Sequence, residues 1–356
     1  MGVNNKTLNM KRILITCIGG YFSYQVVDSI RKVKNLSKFI LGVDVNPNVN
    51  AFFVDKFEIV PRADLSQIKY INKIITLCKK YKIDTVLPSS ENETLAISKH
   101  INIFKKHKIK TSVSSFNTVN LMTDKLKMYE YLNHRGIDVG NWKKVDNFNE
   151  AIGALNFFGY PLKKVVIKPK FGSGSRGILI VNSKKISFTN LLKDRFCGEG
   201  SWESIKEELK NSNKSLDDCF IMPYHGGETF DVDCIAREGD LVLAIPRLRV
   251  YENPLSPTNQ GCVIKPNNII NGYCKKIVKA FNINGACDFD VVIRKDLKPQ
   301  LLDASCRLSG SVGASLNAGI NVTAQLVKLL HGKKIDKLKL KKKTRVFPVP
   351  TFVKSL

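Results

Sequence analysis

The sequence predicts a mixed α/β and α+β protein in two parts, a parallel sheet with helices on its faces followed by a largely β region. Three observations carry this. Apolar β-like runs alternate with amphipathic helical stretches up to about Val113, which is the pattern of a parallel sheet. The stretch Val165 to Val181, VVIKPKFGSGSRGILIV, places a glycine-rich loop between two β-like runs. From Phe220 to Cys306, β-like runs follow one another with a single helical interruption.

Taken in order, Arg12 to Cys17 reads as a strand leading to Gly19 and Gly20, with a helix from about Tyr24 to Lys34. Phe39 to Asp44, Lys56 to Val60 and Asp84 to Pro88 are further strands; Asp64 to Tyr81 and Glu93 to His107 are helices. The loops near Gly19, Asp44 and Ser89 to Glu93 then lie along the carboxyl edge of the sheet, where ligands collect. A new domain is expected near residue 116, with helices over Asp124 to Gly136 and Phe148 to Phe158, the latter closed by Gly159, Tyr160 and Pro161. After the glycine hairpin, Ser187 to Ser212 reads as helix broken at Gly198 to Gly200. The β-rich region comprises Phe220 to Pro223, Thr229 to Ala236, Leu241 to Leu248, Gly261 to Lys265, Ala286 to Arg294 and Gln300 to Ala304, with a helix from Asn268 to Phe281.

Composition narrows the function classes. With 43% hydrophobic residues over 356, the chain can bury substantial cores, and no apolar run approaches the roughly 20 residues that span a bilayer. Met1 to Met10 is polar and has no signal core, and Lys6 breaks the myristoylation pattern, so a cytoplasmic protein is expected. The nine cysteines form no C-x-x-C pair and read as reduced thiols; the five histidines are not spaced with them as zinc ligands. The formal charge of +26 is spread along the chain, and only Lys333 to Arg345 is a dense basic run, expected as a solvated terminal face. Nucleic acid is therefore not an expected partner.

Gly172, Gly174 and Gly177 spell G-x-G-x-x-G, but a strand rather than a helix follows, so the loop reads as the tip of a hairpin that folds over phosphates. Lys168 closes the preceding strand, where a half-buried ammonium needs an anionic partner such as a nucleotide phosphate. Lys125 opens a helix after Thr123 and Asp124. Asp288 and Asp290 alternate on one strand and share a face, and Asp303 ends the next strand. Carboxylates facing one another across strands suit magnesium, which takes one or two of them plus phosphate oxygens; loop capping or pairing with lysines is the competing reading. Arg307 is placed to stabilise a phosphoryl group in transfer.

At this point the chain resembles the ATP-grasp superfamily, most closely the branch of the carbamoyl phosphate synthetase large subunit. The resemblance runs from residue 11 to about 332. ILITCIGG, LGVDVNP, DKFEIVP and IDTVLPSSENE are similar to that family's pre-ATP-grasp domain, and MTDKLKMYEYLNHRGIDV to the entry into its ATP-grasp domain. VVIKPKFGSGSRGI is similar to its glycine-rich lid, FIMPYHGGETFDVDC to the hinge strand that receives adenine, and LLDASCRLSGS to its closing metal motif, usually E-x-N-x-R.

The resemblance implies a Rossmann-like pre-ATP-grasp domain over 1–115, an ATP-grasp domain over 116–335 and a basic C-terminal segment over 336–356. Within the second, a lid subdomain covers about 145–220 and a metal and substrate subdomain about 221–335. It implies that Lys125 and Lys168 contact ATP phosphates under the loop formed by Gly172, Ser173, Gly174, Ser175, Arg176 and Gly177. The backbones of Met222 and Tyr224 would meet adenine, with Glu228 near the ribose. Asp290, Asp303 and Ser305, supplemented by Asp288, would hold Mg2+ or Mn2+, and Arg307 and Lys168 would be catalytic. The implied reaction phosphorylates a small carboxylate with ATP and lets an amine attack the acyl phosphate; the implied partners are those small molecules and, as is common in the family, a second copy in a homodimer. Arg247 and Arg249 share a face and suit a substrate carboxylate, or else pair with surface acids. Ser309 and Gly310 follow Arg307 and can offer N–H groups to an anion. Three positions depart from the family pattern: Met222 replaces a glutamate, Asp303 a glutamate and Ser305 an asparagine. They leave a second reading, a nucleotide-binding protein with an altered metal site that acts as a partner or sensor.

Overall fold

The computed structural model describes residues 10–20, 23–172, 176–184, 197–250, 261–336 and 343–349. The first sheet is built from β1 (Lys11–Ile15), β2 (Ser37–Asp44), β3 (Lys56–Ile59), β4 (Thr85–Leu87) and β5 (Lys110–Thr111). All pairings are parallel, in the order β3-β2-β1-β4-β5, so the connections reverse direction between β1 and β4. The chain crosses over through α1 (Tyr24–Arg31), α2 (Gln67–Lys80), α3 (Glu91–Lys99) and α4 (Ile101–Lys106), with a 3-10 turn over Val49–Phe53. Ser66 and Ser90 start α2 and α3 by accepting the N–H groups of Lys69 and Glu93, the usual serine N-cap. The single helix expected over Glu93 to His107 is two, because His100 leaves helical geometry at φ −109°, ψ 21°. Leu14, Leu41 and Val86 pack under α2 and α3, while Ile13, Ile15 and Ile40 face α1.

Next come α5 (Phe116–Thr123), which the sequence reading did not anticipate, and α6 (Lys125–Asn133), whose N-cap Asp124 accepts from Lys127 N at 3.1 Å. The second sheet takes β6 (Lys143–Val145), β7 (Val165–Pro169), β8 (Leu179–Val181), β9 (Gly198–Gly200) and β10 (Cys219–Pro223) in the order β6-β10-β7-β8-β9. Its core is closed by α7 (Phe148–Phe157) and α8 (Trp202–Asn211). β7 and β8 are antiparallel, so the glycine loop does join a hairpin. Gly198–Gly200, expected as a helix break, is a strand parallel to β8. The expected helical residues 187–196 lie outside the described residues, as do Ser173, Gly174 and Ser175 of the loop itself.

The third sheet is antiparallel and contains β11 (Glu228–Arg237), β12 (Asp240–Arg249), β13 (Cys262–Ile264), β14 (Gly285–Ile293), β15 (Pro299–Ser305) and β16 (Thr344–Val346), ordered β15-β14-β11-β12-β13-β16. Strand alternation decides which residues face what. Phe230, Val232, Cys234, Cys287, Phe289 and Val291 point to α9 (Asn268–Ala280) and α6. On the opposite face Ile235, Ile245, Ala286 and Ile264 pack with α1 and α11 (Val322–Leu330), just beyond α10 (Gly313–Asn317), in one core shared with the first sheet. The same alternation puts Asp231, Asp233, Asp288 and Asp290 on that second face. The basic run was expected as a solvated end; instead Thr344–Val346 pairs with β13, extending the sheet, and residues 337–342 lie outside the described residues.

Candidate functional site

Two rows of charged groups cross the third sheet. In the first, Asp231, Asp290 and Asp303 stand opposite one another on β11, β14 and β15; in the second, Asp233, Asp288 and Ser305 do the same. Opposed carboxylates on neighbouring strands destabilise one another unless cations intervene. Two arginines of β12 supply them by reaching diagonally. Arg249 donates to Asp231 Oδ1 through Nε at 2.9 Å and also through Nη2, and the same Nη2 lies 3.0 Å from Asp290 Oδ2. Arg247 donates to Asp233 Oδ1 at 3.0 Å, Ser309 Oγ at 3.1 Å and Ser311 Oγ at 2.7 Å, and Ser315 Oγ donates to Asp233 Oδ2 at 2.5 Å. Burial raises the Asp290 and Asp288 carboxyls above their usual range, against the pull of Arg249 and Arg307 respectively.

These contacts correct the substrate-binding expectation for Arg247. Its side chain is 0% exposed and its two terminal nitrogens are spent on Asp233 and the two serines, with Nε buried without a partner, so it props up the site from behind. Arg249 is 23% exposed but is likewise committed to acids of the sheet, the buried Asp231 and the half-buried Asp290, rather than the surface acids of the alternative reading. Ser309 is occupied with Arg247 and Ser311; Gly310 is exposed.

The two lysines expected at the phosphates meet the same strands. Lys125 Nζ lies 3.0 Å from Asp303 Oδ1 and donates to the Gly172 carbonyl, tying the hairpin loop to β15. Lys168 is 7% exposed and donates to the Leu302 carbonyl at 3.2 Å. That carbonyl, which also accepts from the Tyr129 hydroxyl, is released from the ladder because β15 bulges there: Asp290 pairs with Asp303 and Val291 with Leu301, which leaves Leu302 as the extra residue. Burial, only partly offset by Asp303, lowers the Lys168 ammonium from 10.5 to about 8. Arg307 Nη1 is 3.4 Å from Asp288 Oδ2 and its Nη2 3.8 Å from Glu91 Oε1; burial works against its charge, but Asp288 and Glu91 hold it protonated. Beside it is a narrow cleft of about 10 Å³, room for little more than one water, between α3, α5 and the end of β15, lined by Glu91, Thr94, Met122, Ser305 and Arg307.

Gly172 and Gly177 have φ of +127° and +76°, and a Cβ on Gly177 would come 2.8 Å from Pro169, so both loop ends need glycine; Arg176 between them is exposed. In the hinge, Met222 is 1% exposed and packs in the core beneath the sheet, which accounts for an apolar side chain where the family pattern has glutamate. The Tyr224 expectation needs correction: its N–H donates to the Lys164 carbonyl at 3.1 Å and is not free for adenine. Glu228 is exposed at the start of β11, 3.3 Å from Lys265 Nζ.

Whether these residues suit magnesium can be tested on unsatisfied atoms. Asp288 Oδ1 and Ser305 Oγ are both buried without a hydrogen-bond partner, and the two residues face each other in register. Among the described residues no three His, Cys, Asp or Glu gather into a metal cage. Magnesium does not require one, since it binds through one or two carboxylates together with phosphate and water. The donor set therefore fits an ion that arrives with a nucleotide. Sequence reading missed Asp231 and Asp233, although T-F-D-V-D-C carries the same two-residue alternation as D-F-D, and it missed Glu91, which lay in a loop already placed on the carboxyl edge.

Similarity to known proteins agrees with this geometry. The family "ATP-grasp in the biosynthetic pathway with Ter operon" matches residues 215–352, and the family "PylC-like, N-terminal domain" matches residues 13–112. The carbamoyl phosphate synthase large chain of Pseudothermotoga lettingae is 21% identical over 96% of this chain, which spans only 30% of that relative's length. N5-carboxyaminoimidazole synthetase from Staphylococcus aureus, solved with ADP, superposes with a TM-score of 0.70 at 14% identity, over 96% of this chain and 83% of that one. The biotin carboxylase domain dimer of Hydrogenobacter thermophilus 2-oxoglutarate carboxylase, solved with MgADP, ADP and bicarbonate, gives 0.65 at 12% identity over 92% and 71%. No helix among the described residues is long and apolar enough to cross a membrane. With a parallel-sheet domain, a glycine hairpin and a carboxylate face in sequence, the chain is similar to the ATP-grasp superfamily over residues 215–352 and, across most of its length, to the carbamoyl phosphate synthase large chain.

Proposed function

We propose that the protein is an ATP- and magnesium-dependent ligase that activates a small carboxylate as its acyl phosphate and joins it to an amine. The observation that supports this is the meeting of Lys125, Lys168, Asp303, Asp290 and Arg307 at one place, contributed by α6, β7, β14, β15 and the residue pair just beyond it. In this reading adenine lies along β10 near the Met222 backbone, with Glu228 toward the ribose. The phosphates lie between the hairpin, from Gly172 to Gly177, and the two lysines.

The attacking carboxylate oxygen is already anionic, so the first step needs no general base; positioning and charge neutralisation suffice. The carboxylate oxygen bonds to the γ-phosphorus, the bond to the bridging oxygen breaks, and ADP leaves with the electron pair. Lys168 and Lys125 neutralise phosphate oxygens from beneath the hairpin, and Arg307 binds the group in transfer beside the cleft. A bound magnesium ion, held by Asp303 and Asp290 with Asp288 and Ser305 close by, would supply further positive charge to the phosphates. An amine nitrogen then attacks the acyl carbon, the acyl C–O bond breaks, inorganic phosphate departs with the electron pair, and the nitrogen gives up a proton to that phosphate or to solvent. Ser309 and Gly310, at the rim beyond Arg307, bound the space for these substrates. The nine cysteines, all free, suit a cytoplasmic setting, and a homodimer, the assembly of the Hydrogenobacter domain, belongs to the same reading.

The test is release of ADP and phosphate from MgATP, screened across pooled carboxylates with and without pooled amines. Release that depends on one acid and rises with one amine identifies the ligase and its substrates. ATP binding without acid-dependent release in any pool favours the second reading, a nucleotide-binding partner or sensor, for which the observation is that Asp290 is already claimed by Arg249.

A further inference from the structure

Arg249, 23% exposed, is held between two carboxylates of the first row. Its guanidinium grips Asp231 Oδ1 through two nitrogens and extends one of them to Asp290 Oδ2 at 3.0 Å. Asp231 is 6% exposed, so the fork is anchored by a buried carboxylate and cannot swing aside without leaving that charge unpaired. Asp290 faces Asp303 directly, and Asp303 is the carboxylate that also meets Lys125. Along this row, then, Asp290 has a fixed cation on its inner side, and Asp303 has its inner neighbour already neutralised. Two divalent ions 3.5 to about 4 Å apart need carboxylates that bridge them. The closing motif has the shorter Asp303 and the neutral Ser305, and Asp290 is already engaged.

We infer that Arg249 acts as a resident cation in place of one divalent ion, so that the site takes a single divalent ion with its nucleotide. This rests on the ligase reading only in assuming that a nucleotide with its metal ion binds here. Arg249 is on this account a positioning residue: it acts through Asp290 and touches neither substrate nor phosphate.

The test counts ions rather than turnover. Mn2+ is titrated into the full chain with saturating β,γ-imido ATP, and bound ion is read from the loss of the free Mn2+ paramagnetic resonance signal. The wild-type chain is expected to bind about one ion, Arg249→Met about two, and Arg249→Lys, which keeps the charge, about one again. Two ions on the wild-type chain, or one on a folded Arg249→Met chain, overturns the inference. If Arg249→Met does not fold, the wild-type count decides alone. A chain that binds neither analogue nor ion overturns the nucleotide reading together with this inference, whereas two ions on a chain that binds the analogue overturns only the role of Arg249.

Discussion

Two cations are buried almost equally in this protein and are held in opposite ways. Arg247, on the third sheet, is 0% exposed and surrounded by Asp233, Ser309 and Ser311, which take up four of its hydrogen bonds. Lys168, on the second sheet, is 7% exposed and is met by one backbone carbonyl. Burying a charge is costly unless it is paired, so the two positions differ in what completes them. Arg247 has its counter-ion and the partners of both terminal nitrogens supplied by the fold, with only Nε left over. Lys168 lacks such a set, and in the proposed reading it is completed by the anion of a nucleotide that arrives with its cation. A buried charge satisfied from within is scaffold, and one left short of partners marks where a ligand goes.

Breaking the scaffold side should give the largest effect. Arg247→Ala leaves Asp233 buried without its counter-ion and is expected to destabilise the protein by about 3–5 kcal/mol, measured as a fall in the denaturant midpoint. A loss within about 0.5 kcal/mol would mean that Asp233 takes up a proton instead and that the row does not depend on its arginine. Asp303→Asn removes the carboxylate paired with Lys125, which the proposed reading puts nearest the phosphates. Turnover is expected to drop roughly 10²- to 10³-fold while affinity for a non-hydrolysable nucleotide stays within about threefold. Full activity in that variant would remove Asp303 from the metal set.

On the ligand side the same kind of change should act with the opposite sign on stability. Lys168→Met deletes an under-partnered ammonium and keeps the volume, so the variant is expected to gain about 1–2 kcal/mol while nucleotide affinity falls roughly 10- to 100-fold. A variant that loses stability as well as affinity would make Lys168 scaffold like Arg247 and dissolve the contrast.

The legibility of the two regions differs for the same physical reason. Elements with a strong period were readable: β14 from A-C-D-F-D-V-V, the hairpin from its glycines, and α9 from its apolar stripe all lie within a few residues of where the pattern puts them. Short elements were readable only where an apolar run marked them, as for β4 and β13. β5, β6, β9 and β16 each have two or three residues and owe their existence to the neighbouring strand rather than to their own composition. In the site, residue type and alternation were enough to nominate Asp288, Asp290, Asp303 and Arg307. They could not show that Arg247 and Arg249 spend their donors on Asp231 and Asp233, because a diagonal reach between strands depends on register. The N–H of Tyr224 was misjudged likewise, its partner Lys164 being 60 positions away in sequence and adjacent only once β7 and β10 pair.

The finest probe of the contrast is pH, since the two cations should titrate far apart. Arg247 is driven still higher than an ordinary guanidinium, chiefly by Asp233 working against burial, and keeps its charge throughout. Lys168 is brought down to about 8 by burial. Its folded value lies below the unfolded 10.5, so between about 8 and 10.5 the unfolded chain holds more protons and stability rises with pH; below about 8 the cost of the buried charge is fully present. Nucleotide binding runs the other way, because phosphate selects the protonated lysine. Affinity for the ATP analogue is expected to be level below about 8 and to fall by about tenfold per pH unit above it. The Lys168→Arg chain, whose guanidinium does not titrate in this range, should lack that fall, and the ratio of the two profiles cancels the titration of the phosphates themselves. Parallel profiles from pH 7 to about 9.5 would show that Lys168 does not meet the nucleotide as a charge, and the anion site would then have to be sought at Lys125 and Arg307.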